Sequence, residues 1–262
     1  IRGSRVAWSI LERLGRFDGS SNLPYPISFS QSCPFYGSRH YLFCMDRKNA
    51  RRILAILASR YPDRWARERY AASPFEVLIT TILSAQTTDK SVDAIRDELF
   101  SRFPGPQSLA TADIAEVEEV IHSTGFFHMK AKHIIAASRT LVEKFSGAVP
   151  DTMEDLLTIP GGGRKTANIV LYHAFGKNEG VAVDTHVFRL AGRLGFSDSR
   201  NADGIERDLM HLFPEKDWGV LTDILISHGR AVCMARKPAC PVCPVSPLCR
   251  YYQDQIRTGT PG

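Results

Sequence analysis

The run Leu157-Thr158-Ile159-Pro160-Gly161-Gly162-Gly163-Arg164-Lys165-Thr166-Ala167-Asn168 constrains this chain more than any other. An apolar helix that meets Pro160 has to end, since proline offers no backbone N–H and its ring collides with the preceding turn. Three glycines then turn the chain sharply. A second helix is predicted from about Arg164 to Phe175, with Gly176 as its stop. The product is a helix-hairpin-helix. Backbone N–H groups in such a turn, and in the first turn of the helix after it, lack intrahelical partners and have the positive end of the helix dipole behind them. An anion is their natural ligand, and glycine, without a Cβ, lets it reach the main chain. Gly161, Gly163, Arg164 and Thr166 are therefore candidate phosphate contacts, although a glycine turn with no ligand would read the same way. Lys165 sharpens the reading. A cation is disfavoured at a helix N-terminus, so a lysine there is more easily had as a neutral, nucleophilic amine.

The formal charge of +5 over 262 residues suits a polyanionic partner, as it would many basic proteins without one. No apolar run approaches the ~20 residues of a bilayer-spanning helix. From about Asp46 onward the periodicity is helical. Ile53, Leu54, Ile56 and Leu57 form one face, and Ser73-Pro74 caps a helix whose Val77, Leu78, Ile79, Ile82 and Leu83 are apolar nearly all round, the pattern of a helix at a domain centre. Amphipathic helices are predicted at Ser91–Phe103, after Asp113, at Ala131–Phe145 and from Asp184 onward. No period-2 strand is found, so the fold class is all-α. Residues 1–46 differ. They are rich in Ser, Arg, Pro and Tyr and poor in acids, which fits an extension outside the fold and is compatible with an organellar transit segment.

Two further features carry chemistry. Cys233, Cys240, Cys243 and Cys249 give C-x6-C-x2-C-x5-C within 17 residues, interleaved with four prolines. Such a loop buries little and needs a cross-link. Disulfides are disfavoured because no secretory leader is recognised. Zinc usually takes paired C-x2-C knuckles, of which there is one, and four unevenly spaced thiolates look more like cluster ligands. Zinc, a cluster and an unmetallated loop remain the choices. Arg236 and Lys237 sit between the first two cysteines and could reach phosphates. Asp184, in Val183-Asp184-Thr185-His186, follows Lys165 by 19 residues and reads either as a helix cap or as a carboxylate working with the lysine.

Together, Leu83-Ser84-Ala85-Gln86-Thr87-Thr88-Asp89, the glycine hairpin, Val183-Asp184-Thr185-His186 and the cysteine loop resemble the endonuclease III family of helix-hairpin-helix DNA glycosylases, over about residues 50–252. The resemblance implies two helical domains with a DNA-binding cleft between them. A six-helix barrel over 71–177 would carry the hairpin, and residues 47–70 with 178–252 would form a domain holding a [4Fe–4S] cluster on the four cysteines, leaving 253–262 as a tail. It implies a bifunctional glycosylase and AP lyase of base excision repair. Lys165 would be the Schiff-base nucleophile and Asp184 the catalytic carboxylate. Gln86 would fill the space of the extruded nucleotide, Phe126 would wedge into the opposite strand, and Ser84 and Asp89 would line the pocket. His186 joins the DNA contacts. Ordinary core packing is the other reading of Phe126. The implied substrate is duplex DNA with oxidised pyrimidines or abasic sites, acted on by a monomer in a bacterial cytoplasm beside the nucleoid, or in a nucleus or mitochondrion. Ultraviolet-induced pyrimidine dimers are the alternative substrate, and a non-catalytic iron–sulfur DNA-binding protein the alternative role. Lys165, and the 13 residues after Cys249, speak against the mismatch-adenine branch, which lacks the lysine and carries an extra C-terminal domain. One departure stands out: the family's usual apolar residue between the hairpin glycines is Gly162 here, from which a looser turn and weaker DNA affinity are expected.

Overall fold

The structure, a computed structural model, describes residues 45–62, 73–87 and 89–258, without the side chains of Asp89 and Arg257. Most of the N-terminal extension, with Cys33 and Cys44, and the pocket role expected of Asp89 therefore lie outside the described residues. Among those described there is helix and no strand, as the periodicity predicts. No helix among them is long and apolar enough to cross a membrane. The chain divides into two compact units, Arg67–Ala182 and Ile1–Ala66 with Val183–Gly262.

In order, the helices are α1 (Arg47–Arg60), α2 (Pro74–Leu83), α3 (Asp89–Arg102), α4 (Pro106–Ala110), α5 (Ile114–Ile121), α6 (Phe127–Phe145), α7 (Met153–Leu156), α8 (Arg164–Val170), α9 (Thr185–Leu194), α10 (Ala202–Leu212), α11 (Trp218–Ala231) and α12 (Arg250–Thr258). The unit Arg67–Ala182 is built around α2. The Ser73 hydroxyl accepts from the Glu76 amide, Pro74 occupies the first turn where its missing N–H costs nothing, and six apolar side chains beyond it are buried. They meet α3, α6, α8 and the π-helical turn Leu171–Phe175 that continues α8. Burying each such side chain contributes about 1.5–3 kcal/mol, so α2 is held by packing rather than by its β-branched composition. The π-turn ends at Gly176, whose φ of 71° is left-handed.

The other unit packs α1 and α9 against α11, most of whose residues are buried. α9 also meets α10 and α12. The prolines of the cysteine loop permit only 3₁₀ turns at Cys240–Val242 and Ser246–Leu248. Helix α12 then runs to Thr258, through residues read from the sequence as a tail.

Candidate functional site

The hairpin is assembled on the core of its own unit. Thr152 caps α7 by accepting from the Asp155 amide at 3.2 Å and donating to the Asp155 carboxylate at 2.8 Å. The chain then tightens through amide bonds from Thr158 to Asp155 O and from Ile159 to Leu156 O, and Ile159 is 2% exposed, anchoring the turn in the core. Gly161 has φ 78°, and a Cβ built there would come within 3.2 Å of Ile82 on α2 and His133 on α6, so only glycine seats the turn this closely. Gly163 is the N-cap of α8 in extended conformation and supplies no side-chain cap. A Cβ on it would meet nothing within 4 Å. The chain therefore enters α8 beside open space at Gly163, at the positive end of the helix dipole. Arg164 and Lys165 are exposed and Thr166 half-buried in that turn, and the Lys165 side chain makes no hydrogen bond or ion pair among the described residues.

Gly162 departs from expectation in another way. A Cβ there would lie 3.0 Å from the carbonyl oxygens of both Leu156 and Ile159. The turn is closed around the missing side chain, so an apolar anchor would have to push two backbone carbonyls aside.

The end of α2 carries the next candidates. Ser84 is half-buried and its hydroxyl donates to Thr81 O at 2.8 Å. Gln86 is exposed, at a left-handed φ of 53°; Phe126 is 68% exposed, at φ 60°. L-residues avoid this region, and its use at two exposed tips marks segments held by their surroundings. Phe127 packs partly into the core between the rings of His122 and His128, at 4.8 and 4.0 Å. A buried neighbour in this group is Lys130, whose ammonium donates to Thr87 Oγ1. Sequence reasoning passed over it; the signal was a lysine on the apolar face of α6, in line with Ile134, Ser138 and Leu141.

In the other unit, Asp184 does cap a helix: its Oδ1 accepts from the Val187 amide at 2.8 Å at the start of α9. One carboxylate oxygen is committed to the cap and the other has no partner among the described residues. His186, half-buried, lies 3.1 Å through Nδ1 from the Arg189 guanidinium.

All four loop cysteines border one solvent-open pocket of about 310 Å³. Two arginines of α9 shape its wall. Arg189 donates to the carbonyls of Cys233 and Gly229 at 3.0 and 3.1 Å, and Arg193 donates to Met234 O at 2.7 Å, Ala235 O at 2.9 Å and Cys233 Sγ at 3.4 Å while lying over the Tyr251 ring. From α11, His228 reaches Cys243 Sγ at 3.5 Å through Nε2, and Tyr61 OH lies 3.0 Å from its Nδ1. Burial pushes His228 down to about 4 and Cys249 up to about 11, so the imidazole is neutral and that thiol protonated at neutral pH. Burial raises Cys240 and Cys243 as well. Among the described residues no three His, Cys, Asp or Glu side chains gather closely enough for one metal ion. Arg236 and Lys237 are exposed on the outer side of this loop, Lys237 at a left-handed φ of 52°.

The chain is similar to known DNA repair proteins. The family model described as the HhH-GPD superfamily of base excision DNA repair proteins matches residues 79–215. The chain is 51% identical to endonuclease III of Synechocystis sp. over 79% of its own length and 94% of that protein, and 40% identical to endonuclease III of Thermotoga maritima over 77% and 94%. A solved structure of a trapped endonuclease III–DNA covalent intermediate shares 36% identity at a TM-score of 0.76, covering 81% of this chain and all of that one.

Proposed function

We infer from the chain's place in the endonuclease III family, to which it belongs, that it is a base-excision repair DNA glycosylase and AP lyase using Lys165 as its nucleophile. The observation that carries the reading is the start of α8, which no side chain caps: three glycines lead into it, the space at Gly163 is open, and Lys165 stands in the same helical turn. Duplex phosphate is the anion that such a turn receives, through Gly161, Gly163, Arg164 and Thr166.

A damaged base inside a duplex is out of reach until it is turned out of the stack. In this reading Gln86 takes the vacated space and Phe126 enters the opposite strand, with Ser84 and Asp89 lining the pocket for an oxidised pyrimidine. Neutral Lys165 forms a bond from Nζ to C1′ as the bond from C1′ to the base breaks. The sugar ring then opens at the C1′–O4′ bond, with a proton passing from Nζ to O4′, to give an imine; this acidifies the C2′ hydrogen, and loss of that proton expels the 3′ phosphate. Asp184 stabilises positive charge developing on the sugar and relays protons through the oxygen not used in its cap. Cys233, Cys240, Cys243 and Cys249 would hold a [4Fe–4S] cluster, which supplies a cross-link for the loop that offers Arg236 and Lys237 to phosphates. His186 adds a further DNA contact. The enzyme works as a monomer in a bacterial cytoplasm.

Borohydride trapping on duplexes containing one thymine glycol, one pyrimidine dimer or no lesion tests this. An adduct on the glycol duplex is expected. An adduct on the dimer duplex alone keeps the chemistry and moves the substrate, and none on any duplex, from protein that carries iron and binds DNA, overturns the lyase. The phosphate contact has its own test. Gly163→Ala, which adds a methyl into open space, is expected to leave the melting temperature unchanged and to weaken lesion-duplex binding about tenfold by standing where the phosphate approaches. Unchanged affinity in a gel-shift titration would remove Gly163 from the interface.

A further inference from the structure

We propose that Lys130 is a positioning residue for base extrusion, tying the Gln86 turn from the core side to the Phe126 turn so that both tips enter the duplex as one body. This rests on the reading above that Gln86 and Phe126 do the extruding. The two turns lie side by side: a Cβ built on Gly125, the residue before Phe126, would be 3.8 Å from Gln86 O. Both tips are exposed and left-handed, a conformation that side-chain-bearing residues hold only where the surroundings impose it. Lys130 is placed to impose it. Its amide donates to Phe126 O at 3.1 Å, so it stands one helical turn behind that tip, and its ammonium donates to Thr87 Oγ1, the residue after Gln86.

Lys130 is also an expensive residue to keep. It is 5% exposed, and burial, with no carboxylate among the described residues to offset it, pushes its ammonium below the ordinary lysine pKa. A buried ammonium whose one partner among the described residues is a hydroxyl is poor design for stability, and an apolar chain of the same length is expected to fold at least as well. A purely structural residue would give the opposite result on replacement. The expense is explained if the bond to Thr87 serves the turn rather than the fold.

The test measures single-turnover excision of thymine glycol from a fully paired duplex and from a duplex in which the glycol is bulged and already unstacked. For Lys130→Met we expect a melting temperature equal to or above wild type, with excision from the paired duplex slowed about tenfold, the scale of losing one charge-assisted hydrogen bond in the transition state. On the bulged duplex the loss should shrink to about twofold or less, because extrusion has largely been done beforehand. Thr87→Val, which removes the acceptor from a half-exposed position, should reproduce the defect and serves if Lys130→Met does not fold. The double variant should be no slower than either single one. Gln86→Ala and Phe126→Ala run alongside. If these two are slowed on the paired duplex while Lys130→Met and Thr87→Val match wild type, or are slowed equally on both duplexes, the positioning role is overturned and the extrusion reading stands. If Gln86→Ala and Phe126→Ala are themselves unimpaired, the extrusion reading fails and takes this proposal with it.

Discussion

Replacing Lys165 by alanine is expected to remove the borohydride-trapped adduct and to slow strand cleavage at an abasic site by at least about a thousandfold, the scale of deleting a covalent nucleophile. The fold should not notice. Lys165 is exposed, makes no side-chain bond among the described residues and sits in a first helical turn where alanine is as good a residue. Thermal melting should therefore stay within about a degree or two of wild type, and lesion-duplex binding should persist through the backbone amides around it. An adduct of undiminished yield from Lys165→Ala would mean that another amine attacks C1′, and the role of the hairpin would shrink to holding phosphate.

The second large effect is expected at the cysteine loop. Cys249 is the most deeply buried of the four thiols, 7% exposed, and its Sγ donates to Arg193 O at 3.4 Å. Cys249→Ser should lose bound iron together with the visible charge-transfer absorbance, and melt about 10 °C or more below the iron-loaded wild type, since a structural metal centre contributes its binding energy to folding. Iron content and spectrum unchanged in that variant would exclude Cys249 as a ligand. The pH dependence has a definite sign. Burial raises Cys249 to about 11 and raises Cys240 and Cys243, so loading must displace protons from thiols that hold them more firmly than free cysteine does. Loading is favoured as pH rises, and acidification should release iron before it unfolds the chain.

What could be read in advance divides along physical lines. The hairpin was legible because Pro160 and Gly161 act through local sterics, and these need no tertiary information. The central helix was legible from its apolar residues on every side, as was the cap at Ser73. Asp184 was legible only as a choice between cap and catalyst. The geometry shows that capping takes one oxygen, so the two uses do not compete. The π-turn at Leu171–Phe175 left no trace, since its apolar residues suit an α-helix equally well. Arg189 and Arg193 were invisible as supports of the cysteine loop because their acceptors are backbone carbonyls about 40 residues away, which no side-chain pattern encodes. The surroundings of Gly162 were hidden for a related reason. A glycine looks like missing rigidity in sequence, while the atoms that crowd the place of its Cβ, Leu156 O and Ile159 O at 3.0 Å, are main chain.

Helix α9 begins with the carboxylate of Asp184 holding its first turn and ends with Arg193 gripping the loop at Cys233, Met234 and Ala235. Ten residues of hydrogen-bonded backbone, about 15 Å, separate the two ends. On the function proposed above, loss of a metal from the loop would loosen one end of the helix whose other end Asp184 caps.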